Sequence, residues 1–387
     1  MRIVDIRERS VAISRYADPA ILSGGLTTSI AEVVTDVMRD GRPVVGYGFG
    51  SIGRFAQGGL IRERFAPRLL AAADGALADA AGTNLNPFRA WAVMIAGEKP
   101  GGHGERCVAV GTLDMALWDA AAKIAGLPLH RFLADRLGRQ EPVPERVPVY
   151  AGGGYLYPAE DSALLAEEMR RLADFGYARA KIKIAAAGLA QDLRRIDVAS
   201  AALGGPGRLA VDAMNAYDGP AALAAAAALA PLGLWWFEDV CDPLDFSTQA
   251  AVAGAYPESI AAGEALFSAA EARLLARHGG LRPDRDILLF DPVHCYGLPG
   301  TLQIVDVVIA AGWPRRAFWP HGGHLFALHV VAALGLGGAE VNPLCFQPFG
   351  GLEDGAIVTE GFAGLPQRPG IGFEGRAGLH RLFRELG

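Results

Sequence analysis

Leu209-Ala210-Val211-Asp212, Trp235-Trp236-Phe237-Glu238 and Ile260-Ala261-Ala262-Gly263-Glu264 are three short apolar runs, each closed by a carboxylate, and the carboxylates recur every 26 residues. A repeat of that length holds one strand, one helix and two turns. It is the unit of a (β/α)₈ barrel, whose strand carboxyl ends converge on one mouth. Three carboxylates brought together there repel one another unless a cation holds them. An all-oxygen donor set suits a hard ion, Mg²⁺ before Zn²⁺. A single acidic residue after a strand is commonly a turn or a helix cap; three at equal spacing are not explained that way. Asp212, Glu238 and Glu264 are therefore expected to bind one Mg²⁺ per subunit.

The same rhythm extends in both directions. Val147–Ala151 and Ala180–Ile184 read as the first and second strands, Ile287–Asp291 as the sixth, Ala317–His321 as the seventh and the stretch through Glu340 as the eighth. Between them, segments such as Ser162–Phe175 and Ala221–Ala230 are rich in helix formers. The strands are continuous apolar runs, as expected of parallel strands covered on both faces. The fold class is thus α/β, a (β/α)₈-type TIM barrel over 141–359. Residues 1–140 break the rhythm and read as an α+β capping domain. It has strands at Ile3–Ile13 and Val44–Phe49 with loop between them, and helices at Ile61–Ala81 and Gly111–Ala125. The Gly- and Pro-rich C-terminal segment, 360–387, is expected to have no barrel role and to pack back on the cap. Ile21–Thr28 and Gly46–Gly59 are candidates for lid loops, which a dry site requires.

Lys181 and Lys183 are two apart, so on a strand they share one face, and in a barrel they point inward. An isolated Lys-x-Lys is usually a solvated edge. Neighbouring strands ending in metal-type carboxylates reverse that reading. Two adjacent ammonium groups should depress each other's pKa, making Lys183 a base near neutrality, while Lys181 tunes it and touches substrate. Asp291 and His321 end consecutive strands and can form a dyad in which the aspartate fixes the imidazole tautomer. His324 is the competing histidine, placed on the following helix and pointing away. Glu340 is expected to bind substrate. Asn215 and Asp239, just past the metal ligands, are either a supporting shell or ordinary loop residues. Lys183 and His321 would face each other across the mouth. That arrangement suits removal of a proton on one face and protonation of a leaving group on the other.

Composition excludes much else. A net charge of −6 gives no electrostatic reason to expect nucleic acid or an anionic membrane as partner. Cys107, Cys241, Cys295 and Cys345 are too scattered for a zinc knot or a disulfide framework. The first residues, Met1-Arg2-Ile3-Val4-Asp5, carry charge inside the opening apolar stretch, unlike a secretory signal. The longest apolar run, Ala221–Ala230, is about half a membrane span. A cytoplasmic protein is expected.

Together, the Lys181/Lys183 pair, the three carboxylates, the Asp291/His321 dyad and the helix Gly111-Thr112-Leu113-Asp114-Met115-Ala116-Leu117-Trp118-Asp119 resemble the enolase superfamily, mandelate racemase subgroup, over essentially the whole chain. Glu98–Arg106 and Trp319-Pro320-His321-Gly322-Gly323-His324 are more narrowly similar to the D-tartrate dehydratases of that subgroup. One departure is that Asn215 lies three residues after Asp212, where many members have it two after. The resemblance implies a Mg²⁺-dependent dehydratase acting on a small hydroxy diacid, and a homo-oligomer. Lys183 would take the C2 proton to give an enediolate, and His321 would protonate the departing hydroxyl in an anti elimination. Lys99, Arg54 and Arg106 are candidates for the distal carboxylate. Alternatives are other aldarate or aldonate dehydratases, or a racemase or epimerase. A non-catalytic homologue is disfavoured because base, dyad and ligands are all present.

Overall fold

A computed structural model describes all 387 residues. Near the N-terminus, β1 (Ile3–Ala12), β2 (Thr27–Arg39) and β3 (Arg42–Phe49) form an antiparallel sheet in the order β1-β2-β3. The expectation of loop between the outer strands was wrong: β2 is the central and longest strand. Its Thr, Ile and Val residues suit a pleated surface with partners on both sides. The sheet lies against the helix Glu105–Ala125, six residues longer at its start than expected and buried for most of its length. Gly46 and Gly48 make this contact possible. A Cβ on Gly46 would lie 2.0 Å from the Ala116 carbonyl oxygen, and one on Gly48 would lie 2.3 Å from that of Thr112. Helical structure expected over Ile61–Ala81 instead starts at Gly58 and ends with the helical turn Ala66–Leu70; the Asp74-Gly75 turn comes next. Helices Pro87–Ile95 and Leu129–Arg136 were not anticipated.

The barrel strands are β4 (Arg146–Gly152), β5 (Ala180–Lys183), β6 (Leu209–Asp212), β7 (Trp236–Glu238), β8 (Ser259–Ala262) and β9 (Ile287–Leu288), all parallel to their neighbours. β10 (Ala339–Val341) pairs in parallel with β4. The expected seventh strand is not a regular strand. Phe318–His321 still closes the gap: Trp319 and His321 donate backbone N–H groups to the Leu288 and Leu289 carbonyls, and Glu340 donates to Pro320. Pro320 has no N–H to continue the ladder on the other side.

The C-terminal segment also departs from expectation. β11 (Val358–Thr359) and β12 (Phe362–Gly364) form a hairpin, and β12 adds antiparallel to β4, so this stretch extends the barrel sheet. The residues beyond the hairpin do reach the cap. Phe383 stacks on Tyr47 at 4.7 Å, and Glu385 pairs with Arg9. Buried Asp119 accepts from both Tyr47 N and Ile371 N. No helix is long and apolar enough to cross a membrane.

Candidate active site

Register places the first site residues. Lys183 is the Cα partner of Asp212, and Asp212 of Glu238. Glu264 lies past the end of β8, where Ala261 rather than Glu264 pairs with Glu238. The turn after β8 nevertheless returns Glu264 to the group, and the three carboxylates each offer an oxygen within 4.8 Å of the others.

Both lysines point inward, as the two-residue spacing requires. Lys183 pairs with Asp212; Lys181 pairs with Glu238 and lies 3.6 Å from Asp212 and 3.4 Å from Glu340. Asp239 is also buried beside them, next to Glu264 and Asp212. Five carboxylates against two ammonium groups leave a large negative excess in a low-dielectric region. Burial, with Asp212 and Glu264 close by, pushes the Glu238 carboxyl well above its usual range despite Lys181. One Glu264 oxygen, Oε2, is buried without a hydrogen-bond partner, approached only by His321 Nε2 at 3.5 Å. Excess charge, an orphaned oxygen and all-oxygen donors fit a hard divalent ion bound by Asp212, Glu238 and Glu264.

The expected depression of the lysine pKa values is opposed by the neighbouring carboxylates. Burial and mutual repulsion do pull Lys183 down, but the in-register Asp212 outweighs them and holds the ammonium above its ordinary value. Lys181 is likewise raised, by Glu238 and Glu340 acting against burial. The spacing placed the two cations together correctly but did not count the anions arriving on β6, β7 and β10.

On the opposite side, His321 Nδ1 donates to Asp291 Oδ2 at 2.9 Å, and its Nε2 lies 3.5 Å from Glu264. Burial lowers the His321 pKa, but Glu264 and Asp291 more than offset this and raise it to about 9. Asp291 also accepts from the backbone N–H groups of Val293 and His294, which orient it.

A cavity of about 310 Å³ opens between barrel and cap. Lys183, Asn215, Glu264 and His321 line it from the barrel, and Arg15 and Arg54 from the cap. Asn215 donates to Asp239 Oδ2 at 2.9 Å and also bonds its backbone carbonyl, so these two hold each other at the mouth. Several expected contacts are absent. Lys181 is fully buried and Glu340 lies behind it, accepting from Gly322 N, so neither lines the cavity. Lys99 is exposed and also off the cavity. Arg106 is tied to the Tyr296 hydroxyl and to Glu98, which Arg64 and Arg68 also hold. Nor does His324 point away: it caps the helix Leu325–Leu334 and turns inward, its Nε2 3.1 Å from Ser51 Oγ.

Ser51, Arg15, Tyr155 and His294 were not anticipated. Arg15 and Ser51 lie in stretches without periodicity or spacing signals. His294 is only three residues beyond the recognised Asp291, and that proximity was the one available clue.

Residues 164–378 match the family described as Enolase C-terminal domain-like, and the chain belongs to that family. The wider resemblance to the enolase superfamily is thereby borne out. Among curated relatives, the arabinonate dehydratase of Saccharolobus solfataricus is 27% identical over 292 residues, covering 73% of this chain and 74% of that protein. The 3,6-anhydro-α-L-galactonate cycloisomerase of Streptomyces coelicolor is 29% identical over 284 residues, covering 73% and 72%. Among solved structures, the L-talarate dehydratase of Polaromonas sp. JS666, complexed with Mg and L-glucarate, superposes with a TM-score of 0.72 at 26% identity. The match covers 96% of this chain and 94% of that one.

Proposed function

We propose that this chain is a Mg²⁺-dependent acid-sugar dehydratase and, more narrowly, that it converts D-tartrate to oxaloacetate and water. The observation that carries the reading is that Lys183 and His321 line one cavity, with His321 hydrogen-bonded to Asp291. A base and an acid on opposite sides of a bound hydroxy acid are what an anti elimination needs. Lys183 removes the C2 proton, and the C–H electron pair becomes the enediolate. That pair then forms the C2–C3 double bond and expels the C3 hydroxyl, which leaves as water with the proton from His321 Nε2. The enol tautomerises to the 2-keto acid.

Asp212, Glu238 and Glu264 would hold Mg²⁺, which would supply positive charge against the negative charge developing on the substrate carboxylate. Lys183 must be neutral to accept the proton, and here Asp212 keeps it charged. It becomes a base once Asp212 is engaged elsewhere in the carboxylate set. Arg15 and Arg54 support a diacid, since a second carboxylate entering from the cap side meets two guanidinium groups. The cavity volume is at the small end for ligand sites and suits a short acid.

The cycloisomerase among the relatives favours a second reading, α-proton chemistry without loss of water. Purified protein with Mg²⁺ and, separately, D-, L- and meso-tartrate and galactarate tests both. Oxaloacetate from D-tartrate alone, lost with EDTA, is the expected result. A keto acid from galactarate only would replace the substrate but keep the reaction. Solvent exchange of the α-proton with no keto acid would establish the second reading.

A further inference from the structure

Asp291 Oδ2 accepts from two directions. One donor is His321; the other is Ser51, whose Oγ lies 2.6 Å away. Ser51 belongs to the cap, in the segment leaving β3, so this hydrogen bond joins the two halves of the molecule at the dyad itself. Its hydroxyl has one proton, and an ionised carboxylate can only accept. Ser51 therefore donates to Asp291, and its remaining 3.1 Å contact with His324 Nε2 must be one in which Ser51 accepts. The tautomer this demands, with the proton on Nε2, is the one the fold supplies: His324 Nδ1 accepts from Ala327 N as cap of the helix Leu325–Leu334. Helix end, cap serine, aspartate and dyad histidine thus form one directional chain: His324 to Ser51 to Asp291, with His321 donating to the same aspartate oxygen.

Two features show that the convergence is built. Ser51 is wholly buried and holds φ at +59°, a left-handed conformation that costs a serine about 1 kcal/mol. Gly322, at φ +114°, leaves the necessary space: a Cβ there would lie 2.6 Å from His324 Nε2, 2.8 Å from Ser51 Oγ and 2.9 Å from Asp291 Oδ2.

We propose that Ser51 is a positioning residue for the Asp291–His321 pair, so that the proton donor is held in working geometry only when the cap segment is seated on the barrel. The inference rests on the reading of His321 as the group that protonates the leaving hydroxyl. Lys183 belongs to the other side of the mouth and makes no contact with this chain, so its chemistry is independent of Ser51.

The test uses Ser51→Ala and Ser51→Gly, the latter free of backbone strain. With C2-deuterated D-tartrate, or galactarate if that is the substrate, dehydration should fall roughly 10- to 100-fold in both variants, up to the low end of the ~10²–10⁴-fold that a positioned acid–base group contributes. Washout of the C2 deuteron should stay within about twofold. Parallel loss of both activities, or loss of neither, overturns the proposal. A second arm needs no turnover. In ¹⁵N-histidine NMR spectra His324 should be the neutral Nε2–H tautomer, and the His321 and His324 signals should both move in the variants. Unmoved signals overturn the proposal even if every substrate fails, whereas a wild-type enzyme inactive on all acids with the expected spectra would refute only the assigned reaction.

Discussion

Lys183 and Asp212 are Cα partners on β5 and β6, and their side chains form an ion pair at the barrel mouth. The proposed acid on the other side, His321, is paired through a ring nitrogen to a different carboxylate. The two halves of the reaction are therefore separable by mutation. Lys183→Ala should abolish both α-proton exchange and dehydration, by at least the ~10²–10⁴-fold typical of a lost general base. His321→Asn should keep exchange and lose dehydration by a similar factor. Following deuterium washout alongside keto acid checks this, and exchange surviving in Lys183→Ala would refute the assignment of the base.

Removing the metal should remove activity and stability together. A divalent ion would offset the excess negative charge around Asp212, Glu238 and Glu264, so Mg²⁺ at about 100 times its Kd should stabilise the fold by ~2.7 kcal/mol. Differential scanning calorimetry with Mg²⁺ and with EDTA measures it. Glu264→Gln should lose most of the increment. An unchanged Tm in wild type would mean that the three carboxylates bind no ion.

Arg15 and Arg54 should set the preference for diacids. Replacing either by Met removes a charge-assisted hydrogen bond worth ~1.5–3 kcal/mol, which corresponds to about 10- to 150-fold in KM. The rise should be seen for tartrate or galactarate and be small for a mono-acid such as arabinonate. Steady-state kinetics on the two substrate types decides it; equal effects on both would mean that the arginines do not meet the second carboxylate.

Acid should destabilise the protein earlier than its carboxylates alone would suggest. His130 and His329 stack with their Nδ1 atoms 3.1 Å apart, and His329 uses Nδ1 to accept from His130 N and Nε2 to reach the Ile371 carbonyl. Burial lowers their pKa values from 6.5 to about 4 and about 3. The unfolded chain protonates both below pH 6.5, whereas the folded chain resists. Their contribution is therefore complete above pH 6.5 and drains away as pH falls toward 4, at up to ~2.7 kcal/mol per pH unit for the two protons. Urea unfolding at pH 7.5, 6 and 5 should show that slope, and His130→Phe should reduce it by about half. A flat profile in wild type would mean that the pair is not neutral.

The barrel and most of its chemistry were legible because both are written in spacing. A 26-residue recurrence marks successive strands, and a two-residue interval marks one strand face. What escaped was whatever depends on contacts between distant segments. β2 carries no alternation because it is covered on both sides, so it read as loop. Pro320 broke the strand that the run from Ala317 to His321 suggested. The pull of Asp212 on Lys183 was not legible because Asp212 lies 29 residues away in sequence and directly opposite in space. Arg15 and Ser51 occupy loops whose positions only the folded cap defines, whereas Lys99, singled out by charge alone, faces solvent.

The backbone-on-backbone contact at Gly46 and Gly48 leaves no compressible side chains between β3 and the helix Glu105–Ala125. The root of the segment bearing Ser51 and Arg54 is thus a rigid datum, while Arg15 sits in a turn held by hydrogen bonds to Ser23 and by the Tyr155 ring. On the proposed reading, that turn can be exchanged, and with it the choice of acid, without disturbing the proposed proton donor. Grafting residues 15–26 from a relative with another substrate is accordingly the economical route to a changed specificity.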